Sequence, residues 1–300
     1  MVFLLVMAPV VLGTACSNSE PTLHQDRAFD QERAFQDLVK QTTFGPRVPG
    51  TEAHAACAAW LIDQLKATCD SVWTEEFSQF VPLVNDTMRF TNIIGRIGIA
   101  SAKRVLLGAH WDTRPYADMD PDPARRTASF DGANDGASGV AVLLEVARSL
   151  AAEPPSVGVD IVFFDGEDLG RHSANEEWCL GSTYYSMHNA LPYEYGVIAD
   201  MVGETGAEFR REGYSYRYAR ALQDRVWRIA SELGERAFVD AQEESIYDDH
   251  VPFLLKGIPM VDVIDIRYPY WHTSGDTSDK CSAESLGAVG RVLLQLVYAG

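Results

Sequence analysis

"GVDIVFFDGEDLG", residues 158–170, begins as a nearly unbroken apolar run and ends with Asp165, Glu167 and Asp168, three acids within four positions. A short run so rich in β-branched and aromatic residues reads as a strand buried on both faces, the kind that belongs to a parallel sheet covered by helices on either side. The acids that follow repel one another unless a cation, a proton or a helix N-terminus compensates. The stretch therefore predicts both an architecture and a charged feature at the carboxyl end of one of its strands.

The chain on either side repeats the strand pattern in alternation with helices. Upstream, "RVLLGAHWD" (104–112) is a second continuous apolar strand, and "ASGVAVLLEVARSLAA" (137–152) is a helix between the two. Downstream come helix "WCLGSTYYSMHN" (178–189), strand "YGVIADMV" (195–202), helix "YARALQDRVWRIASEL" (218–233), strand "IPMVDVID" (258–265) and a terminal helix over 282–299. Nearer the start, "SVWTEEFSQF" (71–80) and "MRFTNIIGRIG" (88–98) read as strands, preceded by two helices. The first places Phe29, Phe35 and Leu38 on one face, and the second is N-capped by Thr51. This order predicts an α/β three-layer sandwich with a central mixed, mostly parallel sheet flanked by helices. No repeat, low-complexity tract or Pro/Ser linker divides it, so residues 26–300 are expected to form a single catalytic domain.

The chain carries 43 acids against 25 bases, a formal charge of −18, with no Lys/Arg stripe to follow a phosphate backbone; nucleic acid is excluded as a partner. Residues 1–16, "MVFLLVMAPVVLGTAC", are an apolar run too short to span a bilayer, as in a secretory signal. Its ending on Cys16 also resembles a lipoprotein signal, in which Cys16 would carry the lipid. The expectation is an exported chain, periplasmic or membrane-anchored in a bacterium. In that setting Cys57, Cys69, Cys179 and Cys281 permit two disulfides, with buried free thiols as the alternative.

In doubly wound sheets ligands bind beyond the carboxyl ends of the strands. His110 and Asp112 end one strand, Glu167 and Asp168 follow another, and Asp200 ends a third. Asp135 lies just before a helix, and His272 follows the last strand. Each has a plain explanation: Asp135 as an N-cap, Asp200 as a turn cap, His110 as a satisfied histidine. Their convergence on one edge is better explained by one metal site, because carboxylates mixed with imidazoles are the donors that suit zinc or a related first-row metal.

The segments "GAHWDTRP", "DGANDGASGVAVLLEVAR", "VFFDGEDLG", "YGVIADMVG" and "WHTSGDT" together resemble, in order and spacing, the zinc-dependent exopeptidase family of aminopeptidases and animal-type glutaminyl cyclases, over residues 30 to 298. The resemblance implies metal positions at His110, Asp135, Asp168, Asp200 and His272, with Glu167 as general acid/base. It implies two zinc ions bridged by Asp135 in a peptidase, or one held by Asp135, Asp168 and His272 in a cyclase. At Asp168 the family more often has Glu, so the metal would sit closer to that strand end. Trp271, "YDDHVPFLLKGIPM" (247–260), "EEWCLGS" (176–182) and "REGYS" (211–215) resemble the bacterial cyclases. On that branch Asp248 would hydrogen-bond with Asp200 and orient the substrate's amine, and Trp271 and Trp178 would enclose its side chain. The implied reaction converts the N-terminal glutamine of a peptide to pyroglutamate with release of ammonia. The alternative is a zinc aminopeptidase.

Overall fold

Apart from Val2, the computed structural model describes residues 29–189 and 193–299. The leader expected over 1–16, with Cys16, lies outside the described residues, as do the first positions of the domain expected from 26 and its last, 300. In chain order, α1 (Gln31–Thr42) and α2 (Glu52–Lys66) precede β1 (Ser71–Val81), β2 (Asp86–Ile97) and β3 (Arg104–His110). Next come α3 (Ala137–Ala152), β4 (Gly158–Phe164), α4 (Leu180–His188), β5 (Tyr195–Asp200), β6 (Phe209–Arg211), α5 (Gly213–Tyr218) and α6 (Arg220–Leu233). The chain ends with β7 (Phe238–Gln242), α7 (Val251–Leu254), β8 (Met260–Ile264) and α8 (Ala283–Tyr298). Both leading helices start on the capping chemistry that the sequence offers. Asp30 accepts from the Arg33 N–H, and Thr51 accepts from the His54 N–H, as expected.

The main sheet runs β1-β2-β4-β3-β5-β8. β4, β3, β5 and β8 are parallel neighbours, while β2 joins β4, and β1 joins β2, antiparallel. The sheet is thus mixed and mostly parallel, as the alternation predicted. Side chains alternate between its two faces. Val105, Leu107 and Ala109 of β3 and Val159, Ile161 and Phe163 of β4 pack into the larger core with α1, α3, α6 and α8. Leu106, Val162 and Phe164 point the other way, against Tyr185 of α4 and Phe253 of α7. Covering both faces is what makes these strands read as continuous apolar runs.

The small β6–β7 pair, α5 and α7 were not foreseen, because each is too short for its periodicity to register. His250 occupies the N-cap of α7 without a side-chain cap bond. Cys57, Cys69, Cys179 and Cys281 are all free, so the two permitted disulfides are not formed. Burial accounts for the thiols: Cys57, Cys179 and Cys281 are packed inside and Cys69 lies partly so.

The close approach of α3 to the sheet positions the site. At Gly139, a Cβ would lie 1.9 Å from the Ala199 carbonyl oxygen, one residue before the end of β5. Gly139→Ala must push α3 away from β5, and overpacking of this kind costs about 1–3 kcal/mol. Urea denaturation should show the variant's midpoint lowered accordingly, and an unchanged midpoint would contradict the close contact.

Candidate metal centre

The predicted residues meet at the carboxyl edge of the parallel strands. His110 is the last residue of β3 and Asp200 the last of β5, Asp135 stands immediately before Gly136 at the start of α3, and Glu167 and Asp168 lie in the turn after β4. His272, beyond β8, is held at φ 52°, a left-handed backbone that a non-glycine residue adopts only under constraint. His272 Nε2 lies 2.9 Å from Asp168 Oδ1 and 3.5 Å from Asp135 Oδ2. His110 Nε2 lies 3.1 Å from both Asp135 Oδ1 and Asp200 Oδ1. Asp135 therefore presents one oxygen to each histidine.

The two halves of this arrangement differ in how their polar atoms are satisfied. His272 Nε2, Asp168 Oδ1 and Asp135 Oδ2 are all buried without a hydrogen-bond partner, and they face one another. Three orphaned donor atoms at one point cost several kcal/mol unless something compensates, and a cation does so. The donor set, two carboxylate oxygens and an imidazole nitrogen, fits zinc or a related first-row ion. On the other half, His110 Nε2 and Asp200 Oδ1 already satisfy each other in a hydrogen bond.

The turn that carries Glu167 and Asp168 is held from behind by Asp112. Its two oxygens accept the Glu167 N–H at 3.1 Å and the Asp168 N–H at 3.3 Å. Asp276 does the same for the Asp135 loop, accepting from the N–H groups of Asn134 and Asp135 and from the Tyr268 hydroxyl. Asp165, the first acid of the opening stretch, turns away from the site. It takes the Thr91 N–H and faces His54 Nε2 at 3.0 Å, while the His54 ring stacks on Trp111. The backbone can make this turn because Gly166 takes φ 73°.

Burial pushes the Glu167 carboxyl well above the ordinary carboxylate range, His110 opposes, and the charges of Asp168, Asp248 and Asp249 add to the rise. Of the two acids that neighbour Glu167 in sequence, Asp168 adds to this rise, and the other charges that do so come from the "DDH" segment. The Cys179 thiol donates to Glu167 Oε1 at 3.4 Å. Asp248 sits beside Glu167 and Cys179 on one side and beside His250 and Asp262 on the other, so the carboxyl grouped with it is Asp262 and not Asp200. Asp200 acts on Asp248 only through its charge. The reason lies in the sheet: β8 lies beside β5 and brings Asp262 under the 248–250 segment, where His250 also meets Glu212.

A cavity of about 450 Å³ opens over the centre, lined by Asp135, Glu167, Asp168, Asp200, Asp248 and His272 and walled by Trp178 and Trp271. Both indoles also stack on the His272 ring, Trp271 at 3.8 Å and Trp178 at 5.9 Å between centroids. His172 lines the mouth between them. The sequence reading placed Asp112 at a strand end without its role in holding the turn, and missed Asp276, the part of Cys179 at the site, His172 and the pair Arg114 and Asp118. Only the last two left a trace, as a base and an acid four apart in "HWDTRPYAD".

Comparison with known proteins agrees with this geometry. The model of peptidase family M28 matches residues 92–297. A glutaminyl cyclase from Porphyromonas gingivalis is 39% identical with a TM-score of 0.86, covering 89% of this chain and 97% of its own. A leucine aminopeptidase precursor from Bacteroides thetaiotaomicron is 37% identical with a TM-score of 0.87, covering 90% and 97%. The glutaminyl-peptide cyclotransferase of Drosophila melanogaster is 22% identical over 99% of this chain and 90% of its own length.

The protonation state of the ligands gives a test. In the metal-free protein burial, opposed by Arg114, raises Asp168 to about 7, while burial lowers His272 to about 3. A cation needs the carboxylate and the neutral ring. Zinc affinity should therefore fall as pH drops through about 7, with a proton released from Asp168, and His272 should release none until far lower pH. Calorimetric titration in buffers of different ionisation enthalpy measures that proton, and pH-independent affinity across this range would contradict the assignment. With a family model spanning two thirds of its residues and the donor set in register, the chain belongs to peptidase family M28.

Proposed function

We propose that this chain is a zinc-dependent glutaminyl-peptide cyclotransferase, acting on peptides and proteins with N-terminal glutamine. The observation that carries the reading is the inequality of the two donor sets: Asp135, Asp168 and His272 aim unpaired atoms at one point, whereas His110 and Asp200 are closed on each other. That supports one ion rather than two. The solved cyclase at 39% identity supports the same reaction. The apolar run before Cys16 supports export, with Cys16 as a point of lipid attachment.

Bound at Asp135, Asp168 and His272, zinc supplies Lewis acidity to the γ-carbonyl oxygen of the glutamine. The remaining work belongs to the chain. Trp178 and Trp271 form an apolar slot for the glutamine side chain and keep water from its γ-carbon. Asp248 and Asp200, beside Glu167, orient the α-amine. Burial and the charge of Asp248 push the Asp262 carboxyl well above the ordinary carboxylate range, which favours a neutral acid beside Asp248. The amine nitrogen forms a bond to the γ-carbon as the bond to the amide nitrogen breaks. Glu167 takes the amine's proton and returns it to the leaving ammonia, a task that its raised proton affinity suits.

A second reading, a two-zinc aminopeptidase, has its own support. His110, Asp135 and Asp200 also converge within 4.8 Å, and the solved leucine aminopeptidase precursor is as close in fold. There Glu167 would take its proton from an attacking water instead. Incubation with a glutaminyl peptide and with leucyl-p-nitroanilide separates the two. Pyroglutamate and ammonia in equal amounts are expected, and nitroaniline without pyroglutamate would sink the cyclase reading. Glu167→Gln should lower kcat by about 10²–10⁴-fold while zinc content is retained, and an active variant would displace Glu167 from its role.

A further inference from the structure

We infer that Asp118 is a positioning residue that fixes both His272 and Asp168 of the metal centre at once. Its side chain, 28% exposed, lies behind the centre. Asp118 Oδ1 accepts from Arg114 Nε at 2.9 Å and lies 3.6 Å from His272 Nδ1. Asp118 Oδ2 accepts from Arg114 Nη2 at 2.6 Å and lies 3.2 Å from His172 Nε2. His272 Nδ1 has no hydrogen-bond partner, and Asp118 Oδ1, 3.6 Å away, is the carboxylate oxygen facing it as acceptor for an Nδ1–H. A ligating imidazole that gives its other N–H to a carboxylate is fixed in tautomer and ring direction and becomes a better donor.

The second arm runs through Arg114. Its guanidinium is fully buried and gripped by both Asp118 oxygens, a two-point contact that holds the planar group in one orientation. From there Arg114 Nη1 donates to the carbonyls of Asp168 and Gly170, and the Arg114 backbone N–H donates to Asp168 Oδ2 at 3.0 Å. These bonds leave Asp168 Oδ1 as the free ligand atom, aimed at His272 Nε2. The guanidinium also sits 5.0 Å over the Trp178 ring. One carboxylate thus sets the direction of His272, the position of Asp168 and one wall of the cavity.

The inference rests on the metal reading but not on which reaction follows. Zinc affinity is measured by competition with a chromophoric chelator for the wild-type chain, Asp118→Ala and Asp118→Asn, and the visible absorption of the cobalt forms is recorded. Asp118→Ala is expected to bind zinc about 10–100-fold more weakly, with a shifted cobalt spectrum and, because the buried Arg114 guanidinium loses its paired carboxylate, a lowered melting temperature of the metal-free protein. Asp118→Asn keeps an oxygen for His272 Nδ1–H and should recover part of the affinity. If Asp118→Ala binds zinc within twofold of wild type, or if its cobalt spectrum is unchanged from wild type, the positioning role is overturned. A wild-type chain that takes up no zinc would instead remove the metal reading itself.

Discussion

Carboxylates crowd the carboxyl edge of this sheet in a space nearly closed to water: Asp112, Asp135, Asp165, Asp168, Asp248, Asp249, Asp262 and Asp276 are each no more than 3% exposed. A buried charge without a partner costs several kcal/mol even after relaxation, so each must be neutralised, hydrogen-bonded or paired. Much of the local structure can be understood as the set of answers to that demand. Asp112 and Asp276 are answered by backbone N–H groups, and in accepting them they shape the 165–168 turn and the 131–135 loop. Asp165 is answered by His54, Glu212 by His250, and Asp262 by keeping its proton. Asp135 Oδ2 and Asp168 Oδ1 are left without an answer from the protein, and so is His272 Nε2.

The fold was legible because two-sided burial writes itself plainly. β3, β4, β5 and β8 are nearly unbroken apolar runs, and the helices between them are long enough for their period to show. The ligands were legible for a related reason: each lies at a strand end or beside a helix start, where the doubly wound rule already directs attention. What escaped is what depends on contacts between distant segments. Nothing in "DDH" says that Asp248 will find Asp262 rather than Asp200, because that choice is made by the adjacency of β5 and β8. Nor does the opening stretch say that Asp165 faces His54 from α2. The three neighbouring acids have three fates, and sequence proximity alone does not separate them.

Residues that hold other residues were the hardest to read. Arg114 and Asp118 carry the ordinary signature of an i,i+4 pair, which on a surface would be worth a few tenths of a kcal/mol. Here Arg114 is fully buried and its partner faces a histidine with an unpaired nitrogen. Burial changes a decorative pair into one whose geometry constrains its neighbours.

The shorter arm at Asp168 now has a structural consequence. A glutamate there could turn either oxygen, or both, toward an ion. Asp168 cannot, because Oδ2 is committed to the Arg114 N–H and only Oδ1 is free. The centre then offers one oxygen from Asp168, one from Asp135 and one nitrogen from His272. Three single-atom donors leave a tetrahedral ion one position to fill. The cavity beside the three donors is also lined by Glu167, Trp178 and Trp271. Glu167, with its raised proton affinity, lines the same cavity as these three donors. The loss of one methylene at Asp168 therefore narrows the ways in which the centre can be used.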